Sequence, residues 1–232
     1  MLPVAFALVV AVAGYDQPYK VIPGGDWDVD NGPIHFVVSP KGSDDIHDQS
    51  AVEAVRNAFH AWQCIGQTKL RFQDDGDGPA VQDDSDGKNT VFWDETGEYG
   101  LGPGTLGVTI GDATPGQKRR QADIILNGFD GNAPAATVWS TDDAPSGIDV
   151  GSIALHESGH FAGLDHPCDG APPNESNCNG PDQSVMTPAW GGEVARQPLP
   201  DDEEGIRFLY PADDTTPDSC DGPHLKGEKC TC

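Results

Sequence analysis

The chain has 232 residues, with 38 acidic side chains against 13 lysines and arginines, for a formal charge of −25. So negative a surface repels phosphate backbones and anionic lipid, so nucleic acid and membranes are not expected partners. The length suits one sizeable core with at most a small appendage.

The first thirteen residues, MLPVAFALVVAVA, are apolar, too short to span a bilayer, and end on the small residues Ala11-Val12-Ala13. They read as a cleaved secretory signal, although no basic residue precedes the run; an N-terminal core strand is the alternative. On the first reading the protein is secreted, and its six cysteines meet an oxidising compartment.

After an N-terminal segment (14–32), "IHFVVSP" (34–40) alternates and is β-branched, which predicts a strand. "SAVEAVRNAFHAW" (50–62) sets Val52, Val55, Phe59 and Trp62 at helical spacing, with Ser50 and Glu53 in capping-box register. "KLRF" (69–72) and "NTVFW" (89–93) read as short strands separated by an acidic, glycine-rich stretch from Asp74 to Gly87. "GTLGVTI" (104–110) and "ADIILN" (122–127) complete the main strands, and "ATVWS" (136–140) is a further short one within a loop-like region. "IDVGSIALHESGHFAG" (148–163) is a second helix, with Asp149 as N-cap and Gly163 as a left-handed stop. "PDDEEGIRFLYP" (200–211) is a final helix with acids in its first turn. This order implies an α/β or α+β sandwich around one mixed sheet. Cys168 and Cys178 bracket a turn-rich segment and are the first pair to expect; Cys64, Cys220, Cys230 and Cys232 stay open in connectivity.

Three of the seven histidines fall within "HESGHFAGLDH" (156–166). On a helix His156 and His160 share a face about 6 Å apart, so both imidazoles can reach one point. Glu157 lies about 100° around, poorly placed as a third ligand but able to reach a water on a metal. Gly163 permits the sharp turn that returns His166 to the same point. Three neutral imidazoles with one open position describe a catalytic metal site, whereas a structural one fills all four positions. Imidazole suits several ions, so ligand type alone leaves the metal open. Glu157 would take a proton from metal-bound water and pass it to the leaving amine, giving amide hydrolysis without a covalent intermediate. The plain alternative is a chance HExxH whose histidines are only hydrogen-bonded; the further glycine and histidine at fixed spacing weigh against it.

The pattern HExxHxxGxxH resembles the metzincin metalloproteases, and "SVMTP", with Met186 twenty residues past His166, looks like their Met-turn. Met-x-Pro and "GLDH" are most similar to the matrixins, as are "AFHAWQCIGQTKLRF", "QADIILN" and "DDEEGIRFLYP". The resemblance spans roughly residues 33–211 and leaves 212–232 as a cysteine-containing tail. It implies an α+β fold: a twisted mixed sheet with a first long helix, an active-site helix and a C-terminal helix. It also implies zinc on His156, His160 and His166, Glu157 as general base, and Met186 as an apolar floor. The substrate would be a protein or peptide, paired antiparallel with an edge strand formed by Gly104, Thr105, Leu106, Gly107 and Val108, and the enzyme a monomer. "PAWGG", with Trp190, would wall the pocket beyond the scissile bond.

Several departures qualify the resemblance. No cysteine-bearing pro-segment lies between Ala13 and Pro33, so latency by that route is not expected. The loop "GDATPGQKRRQ" lacks the histidines of the family's second, structural zinc, which is therefore not expected either. Pro167 follows the third histidine where matrixins usually have serine or threonine. "DDGDG" and "DDSDGKN" offer oxygen ligands for calcium but miss the EF-hand spacing, so solvated loops are the favoured reading. Asn174-Glu175-Ser176 matches the glycosylation pattern and is read as chance. Two rivals remain: a secreted, metal-stabilised binding or adhesion module without proteolysis, and a zinc hydrolase acting on a non-peptide amide or ester.

Overall fold

β2 (Ile34–Val38) buries Ile34, Phe36 and Val38 and turns His35 to solvent, the alternation its sequence predicts. The computed structural model describes residues 19–102, 104–129, 138–142, 147–167, 184–188, 191–214, 216 and 230. The expected signal segment, Cys168 and Cys178, Asn174, Trp190, Cys220 and Cys232 lie outside the described residues.

Beside β2 lie β3 (Phe72–Asp77) and β4 (Thr90–Asp94), both parallel to it, with β6 (Ala122–Asn127) parallel to β4. β5 (Gly107–Gly111) pairs antiparallel with β6 and closes the order β3-β2-β4-β6-β5. β4 is buried at every position and β6 at all but its last, because both are covered on two faces; such strands read as unbroken apolar runs.

α1 (Ser50–Gln63) crosses over between β2 and β3 and lays Val52, Val55, Phe59 and Trp62 into the core. Phe59 stacks on Phe36 with ring centroids 4.0 Å apart and meets Phe72 and Phe161 edge-on. Trp62 Nε1 donates to Leu155 O at 3.0 Å and Ser158 Oγ at 2.9 Å, pinning α1 to α2 (Val150–Phe161). α3 (Pro200–Leu209) opens on proline, which needs no N–H partner there. The architecture is thus α+β, with a mixed sheet and three helices among the described residues.

Local expectations differ at four places. The Ser50/Glu53 capping box does not form: Gln49 occupies the cap, while the Ser50 N–H donates to Asp48 and its hydroxyl pairs with Thr141. The "KLRF" strand begins only at Phe72 and runs on into the acidic stretch. Lys69 N–H instead donates to Tyr210 O, and the acids are tolerated because β3 is an edge strand. Asp74 and Asp77 pair with Arg56 of α1. The "ATVWS" strand reduces to β7 (Trp139–Ser140), parallel to β8 (Ile148–Asp149). β1 (Lys20–Val21), not anticipated, pairs antiparallel with β9 (Leu164–Asp165). The open cysteine connectivity resolves in part, since Cys64 at the end of α1 is bonded to Cys230.

Candidate active site

α2 starts where Asp149 caps it, accepting hydrogen bonds from Ser152 N–H at 2.8 Å and Ser152 Oγ at 2.7 Å. Arg196 lies against the same carboxylate, which is 98% shielded from solvent. At the other end Gly163 adopts φ +102°, and a Cβ there would stand 2.9 Å from Gly25 O. Only glycine meets both demands, so the chain can reverse into β9 and deliver His166.

The reversal brings His166 Nε2 to 3.2 Å from His156 Nε2 and 3.1 Å from His160 Nε2. His156 Nδ1 lies 2.8 Å from Val185 O, and His160 Nδ1 lies 2.8 Å from Leu164 O. A carbonyl can only accept, so both Nδ1 atoms carry the proton and both Nε2 atoms present lone pairs. His166 can place one proton toward one of them at most, which leaves lone pair facing lone pair. A cation at the convergence removes that conflict. In tetrahedral coordination with zinc–nitrogen bonds of about 2.0–2.1 Å, ligand nitrogens stand about 3.3 Å apart, close to the spacing here. The donor set therefore fits zinc, and the Nδ1 contacts are the outer hydrogen bonds that orient ligating histidines.

Burial keeps the imidazoles neutral. It lowers the pKa of His160 to about 3 and that of His166 to about 4, with His156 adding to both, and it lowers His156 as well. Glu157, 5% exposed, is pushed up to about 7 by burial, opposed by a hydrogen bond from Thr109. Thr109 Oγ1 lies 2.8 Å from Glu157 Oε2 and 2.9 Å from Glu157 O. The histidines and Glu157 face a cavity of about 700 Å³ that also touches β5, Ser184–Val185 and Glu193.

The last turn of α2 exposes carbonyls with no partner inside the helix. Several carbonyls at this end of the helix and in the turn that follows are met from elsewhere in the fold. Arg119 Nη1 donates to His160 O at 2.7 Å and Phe161 O at 2.9 Å. Trp27 Nε1 donates to Phe161 O at 2.7 Å, Tyr210 Oη to Ala162 O at 2.6 Å, and Ile22 N–H to Gly163 O at 2.8 Å. Met186 packs so closely on α2 that a Cβ at Gly159 would sit 2.3 Å from its sulfur. Asp202 holds that turn, accepting from Ser184 Oγ at 2.6 Å and from Val185 and Leu199 N–H at 2.9 Å each.

All four residues of the expected centre, His156, Glu157, His160 and His166, thus line one cavity, while Met186 packs against α2 at Gly159. The expected edge strand is shifted. Gly107 and Val108 belong to β5, but Gly104, Thr105 and Leu106 precede it, because Gly104 takes φ +87° and Thr105 N–H closes a turn onto Gly102 O. All five still line the cavity. Among the described residues, one other group of three metal-competent side chains occurs, His60, Cys64 and Cys230, whose sulfurs are bonded to each other. Sequence reasoning did not single out Thr109, Arg119, Trp27 or Tyr210. In sequence Asp202 reads only as a first-turn acid.

Compared with known families, the chain matches the Matrixin peptidase model over residues 26–211, starting upstream of the boundary expected at 33 and taking in Trp27. No curated protein matches it.

Proposed function

The chain belongs to the matrixin family of zinc metalloendopeptidases, and on that premise we propose that it is a secreted endopeptidase in which Glu157 is the general base. One observation carries the reading: the Nε2 atoms of His156 and His160 both lie within 3.2 Å of His166 Nε2, beside the buried carboxylate of Glu157 on the helix that carries the first two.

His156, His160 and His166 would hold the ion through Nε2, and the carbonyls of Val185 and Leu164, accepting from Nδ1, keep the first two rings from turning. Zinc, when bound, polarises the scissile carbonyl and makes its water acidic near neutral pH. Glu157 accepts the proton of the attacking water on its carboxylate and hands it to the leaving nitrogen. A pKa near 7 suits a group that must take and give a proton in one turnover. An extended peptide docks along β5, which is paired with β6 on one side only and so offers its outer edge for antiparallel addition. The cleft acts on a protein or peptide substrate, and the monomer contains every group the reaction uses. With a charge of −25 the protein is kept off nucleic acid and anionic membranes.

The test is Glu157→Gln. The variant retains stoichiometric zinc and loses casein hydrolysis by about 10²–10⁴-fold, the span of general-base contributions. Chelation abolishes wild-type activity and added zinc restores it. Zinc binding without cleavage of any of several unstructured substrates favours the metal-stabilised binding module. A fully active Glu157→Gln variant overturns the role of the carboxylate.

A further inference from the structure

Gly107 and Thr109 are two apart on β5 and so share one strand face, the one turned to α2. Both meet the same side chain there. Thr109 Oγ1 stands 2.8 Å from Glu157 Oε2, and a Cβ on Gly107 would lie 2.8 Å from Glu157 Cγ and 2.9 Å from Oε1. Among the described residues, Oε1 receives no hydrogen bond, whereas Oε2 has the hydroxyl.

We propose that Thr109 and the bare backbone of Gly107 together position Glu157, the hydroxyl anchoring Oε2 and the missing side chain leaving room for Oε1 to face the reacting water. The inference rests on the reading of Glu157 as general base. Neither residue touches the reacting atoms; both act through the carboxylate.

The physical case is one of preorganisation. A glutamate has three side-chain torsions, and a base that samples several rotamers spends little time in the productive one. Thr109 can donate its single proton to either Glu157 O or Oε2, and the carboxylate is the stronger acceptor. Its β-branch limits the χ1 choices of the hydroxyl, so the donor is itself held. A rigid paired strand supplies the hold: Thr109 stands opposite Ile124 and Gly107 opposite Leu126 in the β5–β6 register. Because the proposed substrate edge is the outer side of this same strand, peptide register and base position are fixed by one element.

Three variants test this in the zinc-loaded full chain: Thr109→Val, Thr109→Ser and Gly107→Ala. Thr109→Val keeps the shape and removes the donor, so kcat on a quenched peptide falls about 10- to 100-fold while KM stays within about twofold. Thr109→Ser recovers most of the lost kcat, which a purely steric role would not predict. Gly107→Ala lowers kcat with the threonine still present, because the new methyl drives the carboxylate aside. Crystal structures of Thr109→Val and Gly107→Ala give a readout independent of turnover, and show Glu157 in a changed or multiple rotamer. An unchanged kcat in Thr109→Val, or an unmoved Glu157 in both crystals, overturns the proposal. If the wild type cleaves nothing, the endopeptidase reading fails, and the crystals still decide whether Thr109 and Gly107 fix the carboxylate.

Discussion

Asp123 sits in β6 with 1% of its surface exposed, accepting hydrogen bonds from Thr90 N–H at 2.7 Å and Asp83 N–H at 3.2 Å. Burial raises its pKa from 3.8 to about 6, and the nearby Asp86 and Asp84 push the same way while the two N–H donors resist. The sign of the consequence follows from the proton count. Between about pH 4 and pH 6 the folded chain holds a proton here that the unfolded chain has released. The contribution to stability is full below the unfolded value and is lost as pH rises through 6. Asp123→Asn removes the titration but sets the amide N–H₂ against either Thr90 N–H or Asp83 N–H, an offset that does not vary with pH. Thermal melts from about pH 4 to pH 7 therefore show wild type losing stability relative to Asp123→Asn as pH rises. Parallel curves for the two proteins would exclude this carboxyl as the source.

At the scale of an element, α2 shows what was legible and what was not. Its period, its Asp149 cap, its Gly163 stop and its three histidines are local features, written in consecutive residues, and all appear where the sequence puts them. The caps on its last carbonyls come from residues 22, 27, 119 and 210, which no local pattern joins. Arg119 in "QKRRQ" looks like a surface cation, yet it is 5% exposed and its bonds at the helix end all go to carbonyls. The guanidinium there complements the negative end of the helix dipole, although burial lowers its pKa. Arg119→Leu removes the charged donor from His160 O and Phe161 O, which keep only Gly163 N–H and Trp27 Nε1 respectively, and costs about 1.5–3 kcal/mol, measured by guanidinium denaturation. Since His160 lies in the turn that Arg119 holds and His166 follows it, zinc affinity falls too, read by competition with a chromophoric chelator. A variant equal to wild type in both measurements would show that the other caps suffice. The misjudged strand ends have the same origin: Gly104 breaks an apparent strand through φ, and the acids of β3 are accepted only because no strand covers its outer edge.

Across the whole molecule the least legible feature is the bond between Cys64 and Cys230, 166 residues apart, since six cysteines allow many pairings. It ties the tail to the C-terminal end of α1, so nearly all of the sheet, α2 and α3 lie within the closed loop. In the chain-entropy account, closing a loop of that length restricts the unfolded ensemble by about 5 kcal/mol. That contribution matters in a protein whose acids outnumber its bases by 25, because self-repulsion already favours expansion. Cys230→Ser should lower the guanidinium midpoint by an amount equivalent to about 2–5 kcal/mol. Cys64→Ser should do the same, and the double variant should lose no more than either single one, because each removes the same bond. Additive losses would mean that the two cysteines stabilise the fold separately, and the loop-closure argument would then not hold.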